Sequence, residues 1–252
     1  MGFYGLEKEQ RNALVEKINK EIAEDIRSDR KNNILQYFAD EDTYIRKSAY
    51  IATGRIYSAN KKSQTKIIGL LETLLNEDDP KIRQTAINSA GEIGRENFDV
   101  VRPFFDKGLF DKHHSVRNAV IGSMKKMGEK NPAPVIEWSR GYLHHTDKEI
   151  RREICHGIEL RGRTHPEDIL PLLRELQFDK TKRVRWTLVH VIGQISYKKG
   201  CLEKVMNDII QWENKALIND AIAEIIDVHD RYRNFSHYTQ DEAREIIDRL
   251  VK

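Results

Sequence analysis

Residues 178–197 read FDKTKRVRWTLVHVIGQISY, and the pattern of this stretch decides the fold. Asp179 is followed six positions later by Arg185, and an apolar helical stretch follows that arginine. A β-branched residue followed by arginine, or in one case asparagine, returns at intervals of 34 or 37 residues, at Ile45-Arg46, Ile82-Arg83, Val116-Arg117, Ile150-Arg151, Val184-Arg185 and Ile218-Asn219. We call the second residue of each pair the anchor, and the chain therefore contains about six copies of one unit.

Acidic residues recur at a fixed distance before these anchors. The residues six positions before the anchors are Asp40, Glu77, Asp111, His145, Asp179 and Glu213. Carboxylates thus occupy five of these six positions. A period fixed over the length of the chain is typical of solenoid proteins, in which each repeat buries its apolar face against its neighbours.

Helical periodicity fills each unit, because apolar residues recur at three- and four-residue steps and no stretch alternates with period two. The predicted first helices are Asn32–Phe38, Gln64–Leu75, Val100–Phe110, Pro134–Leu143, Glu167–Phe178 and Leu202–Trp212. The second helix of each unit begins shortly before the anchor, and Gly94, Gly128 and Gly162 near its end are predicted to adopt a left-handed conformation. We therefore predict a single domain over 1–252, with an N-terminal cap helix in 1–30, six repeats in 31–233 and a C-terminal cap helix in 237–252.

The composition bounds the possible functions. A net charge of +3, with 33% charged residues and a mean hydropathy of −0.66, permits nucleic acid as a partner without requiring it. Cys155 and Cys201 form no CxxC motif, which favours a reducing cytoplasm. We find no signal peptide and no run of 18 apolar residues, and therefore expect a cytoplasmic protein without membrane contact. Capped solenoids are commonly monomeric, and we expect a monomer.

The spacing of acid and arginine distinguishes two families of helical repeat. A unit of 34 residues has the length of a tetratricopeptide repeat, but no unit shows the Trp-x-x-Leu-Gly-x-x-Tyr pattern of that family. The pattern of Asp40 with Ile45-Arg46, or of Asp111 with Val116-Arg117, resembles the HEAT family, in which Asp and Arg form a ladder between adjacent repeats. The resemblance implies an all-α, right-handed α-solenoid of about six HEAT-like helical hairpins.

A narrower resemblance rests on about 50 residues of the chain. Ile150-Arg151-Arg152-Glu153-Ile154-Cys155-His156-Gly157 precedes Arg161 and Arg163, and Ile169-Leu170-Pro171-Leu172-Leu173 and Val184-Arg185-Trp186 follow. These segments resemble bacterial HEAT-like DNA glycosylases that excise alkylated purines. One branch of that family carries a Trp-Trp-Asp cluster, and this chain has no Trp-Trp pair. The resemblance therefore implies DNA as a partner and possible N-glycosylase activity, but it transfers no catalytic residue.

Residues at positions 1, 5, 8, 9 and 12 after each anchor are predicted to face away from the core. Among them, the residues predicted to bind nucleic acid are Lys47, Arg55, Arg95, Lys125, Lys126, Arg152, His156, Arg163, Trp186, His190 and Tyr197. The outward acids in the same units are Glu92, Glu129 and Glu159. A basic stripe of this kind is typical of surfaces that follow a phosphate backbone, although an ordinary solvated face is also polar. Trp186 is a candidate for stacking on an unstacked base.

Two functions follow from this pattern. In the first, the protein binds duplex or damaged DNA, and Glu159 is the candidate for stabilising positive charge on a deoxyribose as a base departs. In the second, it is a non-enzymatic scaffold that binds a protein or peptide. We assign no cofactor and no metal, because His113-His114 and His144-His145 lack a second ligand pair at a metal-site spacing.

Overall fold

The computed structural model describes residues 2–251, and within this range the chain contains fifteen α-helices and no β-strand. Two short 3-10 helices, Phe3–Gly5 and Lys61–Ser63, are also present. The chain divides into two compact units, an N-terminal unit ending at Asn131 and a C-terminal unit beginning at Pro132. The all-α class predicted from the sequence is confirmed.

The N-terminal unit consists of a long first helix followed by three helical hairpins. Its helices are α1 (Lys8–Ser28), α2 (Asn32–Ala39), α3 (Thr43–Ala59), α4 (Gln64–Leu74), α5 (Pro80–Gly94), α6 (Phe98–Gly108) and α7 (His114–Lys130). The second helices α3, α5 and α7 pack side by side, and α1 packs against α2 and α3. The buried faces are mainly apolar, as the helical periodicity predicts.

The C-terminal unit consists of three helical hairpins, one of them with an interrupted second helix, followed by a last helix. Its helices are α8 (Pro132–Arg140), α9 (Lys148–Gly157), α10 (Glu159–Gly162), α11 (Pro166–Glu175), α12 (Lys182–Gln194), α13 (Leu202–Ile209), α14 (Lys215–Arg231) and α15 (Gln240–Val251). The second helix of the fourth repeat breaks at Ile158, which separates α9 from α10. Helix α12 packs between α9 and α14. Every predicted helix is present.

The acid–arginine ladder expected from the sequence is present in both units. Arg83 donates two hydrogen bonds to Asp111 of the next repeat, from Nε at 2.8 Å and from Nη2 at 2.9 Å. Arg151 and Asp179 repeat this geometry, at 2.6 and 3.2 Å. Both pairs are largely buried, and paired guanidinium and carboxylate groups with two hydrogen bonds are the strong class of ion pair.

The anchor arginines have a second role within their own repeats. The Nη1 atom of Arg83 donates to the carbonyls of Glu77 and Asp78, at 2.9 and 2.8 Å, where helix α4 has ended. Arg46, Arg117 and Arg151 make the equivalent contact with the carbonyl six residues earlier. Each arginine thus ties the connection between the two helices of its hairpin to the start of the second helix. This explains why the spacing of six residues is fixed.

The aspartates of the ladder make the fold sensitive to acid. Burial raises the pKa of Asp179, but hydrogen bonds from Arg151 and Thr181 lower it more, so the pKa lies below its ordinary value. A carboxylate whose pKa is lowered by folding stabilises the protein above the unfolded pKa of about 3.9, and this contribution is lost as the pH falls through the folded pKa.

We expect the difference in unfolding free energy between the protein and its Asp179→Asn variant to be constant between pH 7 and pH 5 and to shrink below about pH 4. Urea denaturation at a series of pH values measures this difference. All three tryptophans, Trp138, Trp186 and Trp212, lie in the C-terminal unit, so their fluorescence reports on the unit that contains Asp179. A difference that stays constant down to pH 3 would contradict the prediction.

The prediction for the glycines near the ends of the second helices is wrong. Gly200 is the glycine with a positive φ among residues 2–251, whereas Gly94 and Gly162 lie within helices. A Cβ atom on Gly162 would collide with Ile169 and Ile195, and one on Gly94 would collide with Met127. These glycines permit close packing of helices and do not provide a left-handed turn.

The C-terminal helix begins as its sequence predicts. The Thr239 backbone N–H donates to Glu242 Oε2 at 2.8 Å, and the Glu242 N–H donates to Thr239 Oγ1 at 3.3 Å, which completes a capping box. Helix α15 packs against α13 and α14. Among residues 2–251, no helix is both long and apolar enough to span a lipid bilayer.

Candidate nucleic-acid interface

Second helices α3, α5 and α7 of the N-terminal unit form an open groove with a volume of about 1110 Å³. We call it the basic groove. Its charged lining consists of five cations, Lys47, Arg55, Arg95, Lys126 and Lys130, and three carboxylates, Glu92, Glu96 and Glu129. Tyr50, Ile51 and Gly54 lie among them. Four of the residues predicted to bind nucleic acid, Lys47, Arg55, Arg95 and Lys126, therefore lie together.

Glu92 organises the middle of the basic groove. Its Oε2 accepts a hydrogen bond from Arg95 at 3.0 Å, and its Oε1 lies 3.2 Å from Lys126 Nζ. Helix α5 can bring Glu92 close to α3 because Gly54 has no side chain, and a Cβ there would lie 2.6 Å from the Cβ of Glu92. Lys126 Nζ is also 4.9 Å from the centre of the Tyr50 ring, within the range of a cation–π contact.

The remaining cations of the basic groove are directed to solvent. Lys47, Arg55 and Lys130 are exposed, and Arg95 and Lys126 keep 40% and 42% of their side-chain surface accessible despite the contact with Glu92. The groove therefore has a positive balance that an anion can reach. Lys125 is half-buried and does not line the groove.

Predicted cations of the C-terminal unit are held in ion pairs. Arg152 Nε donates to Glu149 at 2.9 Å, and its Nη2 lies 3.3 Å from Glu153. Arg163 donates to Glu159 Oε1 from both Nε and Nη2, and to Gln194 Oε1 at 2.8 Å. These arginines compensate buried carboxylates, since Glu153 and Glu159 are each at most 2% exposed. The basic stripe predicted across five repeats is therefore strongest in the N-terminal unit.

The aromatic residues of the C-terminal unit divide between surface and core. Trp186 is 69% exposed and stacks on His190, with ring centres 5.7 Å apart and planes at 8°. Tyr197 is 4% exposed and stacks on Tyr232, so its predicted outward orientation is wrong. Helix α12 ends at Gln194, and the chain beyond it no longer follows the helical phase.

Glu159, the candidate catalytic carboxylate, lies beneath two histidines. Its Oε2 is 3.1 Å from His156 Nε2, and one ligand-type atom from each of His156, Glu159 and His190 falls within 4.8 Å of the other two. His190 Nδ1 in turn lies 3.4 Å from Glu224 Oε1. Gln194 Nε2 is buried nearby and has no hydrogen-bond partner among residues 2–251. A carboxylate in this position is not presented on an open surface.

Comparison with known proteins addresses the fold. The crystal structure of AlkD2 from Streptococcus mutans superposes with a TM-score of 0.55 at 15% sequence identity, covering 82% of this chain and 97% of AlkD2. The chain has a HEAT-like helical repeat fold. At this identity, the similarity to AlkD2 establishes the fold alone.

Two further solved structures resemble the chain more weakly. An archaeal HEAT-like repeats protein from Thermococcus onnurineus NA1 matches with a TM-score of 0.42 and 13% identity, over 93% of this chain and 98% of that protein. A structure of crescerin, which uses a TOG domain array to regulate microtubules in the primary cilium, matches with a TM-score of 0.49 and 18% identity, over 74% and 85% of the two chains. No protein-family model and no curated protein matches the sequence.

Two features of the site were missed in the sequence. The first is the His156–Glu159–His190 cluster, although the signal was present, because His156 and His190 both lie five residues after an anchor in adjacent repeats. The second is the set of partners of Arg152, which lie one residue after it and three residues before it on the same helix. The pair with Glu149 could have been recognised, because residues three apart are neighbours on a helix, whereas the sequence gives no such signal for the adjacent Glu153.

Proposed function

We propose that the protein binds the phosphate backbone of duplex DNA through the basic groove of the N-terminal unit. The observation that carries this proposal is the excess of accessible cations in one open groove, five against three carboxylates. Lys47, Arg55 and Lys130 keep their charge directed to solvent, where a phosphate can contact it. The sequence resemblance to HEAT-like DNA alkylation repair proteins supports DNA as the anion.

The size of the groove suits a segment of duplex. Packed helices lie about 8–10 Å apart, so three side-by-side helices extend over roughly 20 Å. Duplex DNA carries one charge per about 1.7 Å of its axis, which places on the order of twelve phosphates along that length. The cations of the groove can contact only a few of them. The interaction is therefore electrostatic, with little sequence preference, because phosphate contacts carry no sequence information.

The proposal concerns binding and not base excision. Glu159 belongs to a buried network with Arg163 and His156, so it does not offer an accessible carboxylate to a sugar. The sequence contains no Trp-Trp pair, whereas in one branch of the HEAT-like DNA glycosylases such a pair contributes to the site for the damaged nucleotide. The alternative function, a scaffold for a protein or peptide, would use the same cations for an acidic partner.

We expect fluorescence anisotropy with a labelled 20-base-pair duplex to show binding at 50 mM NaCl that weakens steeply at 200 mM. With two to five phosphate contacts, the slope of log Kobs against log salt concentration should lie between about −2 and −4.5. A poly-glutamate peptide of equal charge serves as the control. Tighter binding to the peptide would support the scaffold, and no salt-dependent binding of DNA at 50 mM NaCl would contradict the proposal.

A further inference from the structure

We propose that His156, Glu159 and His190 form a binding site for a divalent transition-metal ion of the zinc class in the C-terminal unit. Two imidazole nitrogens and one carboxylate oxygen are a ligand set that binds Zn²⁺ with a fourth position left for water. The three ligand-type atoms already lie within 4.8 Å of one another. This inference is independent of DNA binding, because none of the three residues lines the basic groove.

The distances fit a tetrahedral ion after a small adjustment. Ligand atoms about 2.1 Å from a tetrahedral zinc ion lie about 3.4 Å from one another. His156 Nε2 and Glu159 Oε2 are separated by 3.1 Å, close to that value. The other two separations are at most 4.8 Å, about 1.4 Å longer than the ideal value, so closing the site needs a shift of that order. Rotation of the His190 ring about its side-chain bonds can supply such a shift.

The repeat architecture explains why these residues converge. His156 and His190 are separated by 34 residues, one repeat, and occupy the same position on the adjacent second helices α9 and α12. Glu159 follows His156 by three residues, a spacing that places two side chains on one face of a helix. The break at Ile158 interrupts the helix between them, and Glu159 lies at the start of α10 with 1% of its surface exposed.

Surrounding side chains supply the outer contacts that metal ligands require. Arg163 donates to Glu159 Oε1 and leaves Oε2 on the side of His156. Glu224 Oε1 lies 3.4 Å from His190 Nδ1, where it can accept a hydrogen bond from the N–H of that ring nitrogen while Nε2 binds the ion. Such carboxylate–histidine–metal arrangements fix the ring and raise its basicity. Helix α14 can carry Glu224 this close because Gly193 of α12 has no Cβ to obstruct it.

Access and charge also suit a cation. The side chains of His156 and His190 are 34% and 25% exposed, so an ion can enter from the side of the histidines. Two carboxylates, Glu159 and Glu224, lie beside the histidines and supply negative charge, and each also pairs with an arginine, Arg163 and Arg231 respectively. The neighbouring Cys155 is completely buried and does not belong to this cluster.

The test is a titration of chelator-treated full-length protein with Co²⁺ and Zn²⁺. We expect one Co²⁺ per chain with the intense visible absorption of tetrahedral coordination, and displacement of Co²⁺ by Zn²⁺. His190→Gln should weaken Zn²⁺ binding at least about 100-fold, since even loss of an outer contact typically costs ~10–100-fold. Glu224→Gln should weaken Zn²⁺ binding roughly 10-fold or more, because it removes the carboxylate that holds the His190 ring.

His165→Gln is the matched control, because His165 is an exposed histidine of the same unit and is expected to leave the affinity unchanged. Circular dichroism of each variant establishes whether it is folded. If the His190→Gln variant does not fold, the Glu224→Gln variant still tests the proposal. Zinc binding that is equal in the His190→Gln variant and the wild type would overturn the proposal. Loss of zinc binding on replacement of the pair His113-His114 would also overturn it. The absence of stoichiometric Co²⁺ binding would do the same.

Discussion

Asp179→Ala should lower the free energy of unfolding by about 3–5 kcal/mol, the cost of leaving one partner of a buried ion pair uncompensated. The substitution removes both hydrogen bonds that Arg151 makes to this carboxylate, at 2.6 and 3.2 Å. It also removes the hydrogen bond from the Thr181 N–H to Asp179 Oδ1 at 2.8 Å, which supports the start of α12. Urea denaturation followed by tryptophan fluorescence measures the loss.

Asp220→Ala is the matched control for this prediction. Asp220 pairs with Arg185, the anchor of the next repeat, but its side chain is 57% exposed, whereas that of Asp179 is 7% exposed. An exposed pair contributes about 0–1 kcal/mol, so this variant should be close to the wild type. Equal effects of Asp179→Ala and Asp220→Ala would contradict a structural role of burial in the ladder.

Much of the fold could be predicted because the repeat fixes many residues at once. The period placed the anchor arginines, the acids six residues before them and the helices of each hairpin, and the ladder pair Arg83–Asp111 follows from the same spacing. A further periodic signal lay four residues before the anchors. In α3, α5, α7 and α9 the side chain at this position accepts a hydrogen bond from the backbone N–H two residues later. The accepting residues are Asp42, Asp79, His113 and Asp147. These residues cap the second helices at their N-termini.

The site was less predictable because helical phase is lost wherever a helix stops. Glu159 lies eight residues after its anchor and was predicted to face outward, but it is buried at the start of α10, next to the break at Ile158. Tyr197 lies twelve residues after its anchor, beyond the last residue of α12, and packs against Tyr232. Lys47 and Arg55, on the uninterrupted helix α3, are exposed as predicted, whereas Lys125 on α7 is half-buried.

Ion pairing changes which arginines can test DNA binding. Arg152 was predicted to bind phosphate, but it neutralises Glu149 and the buried Glu153, so its replacement would perturb the fold. Reversing the charge of Lys126 would place a new carboxylate beside Glu92. Lys47, Arg55 and Lys130 are exposed and line the basic groove, which makes them the residues whose charge can be reversed with little structural effect.

The triple variant Lys47→Glu/Arg55→Glu/Lys130→Glu should bind duplex DNA on the order of 100-fold more weakly than the wild type at 50 mM NaCl. Each lost phosphate contact reduces the magnitude of the log–log salt slope by about 0.9, so three lost contacts should reduce it by about 2.7.

The control variant Lys8→Glu/Lys107→Glu/Lys112→Glu makes the same change in net charge at exposed positions of the same unit that do not line the groove. Its binding should weaken only slightly, because charges outside the contact area act at distances where about 0.1 M salt screens them. Anisotropy titrations of the three proteins at several salt concentrations, with thermal unfolding to verify that each is folded, make the comparison. Equal weakening in both variants would mean that net charge alone governs binding, and the basic groove would then have no specific role.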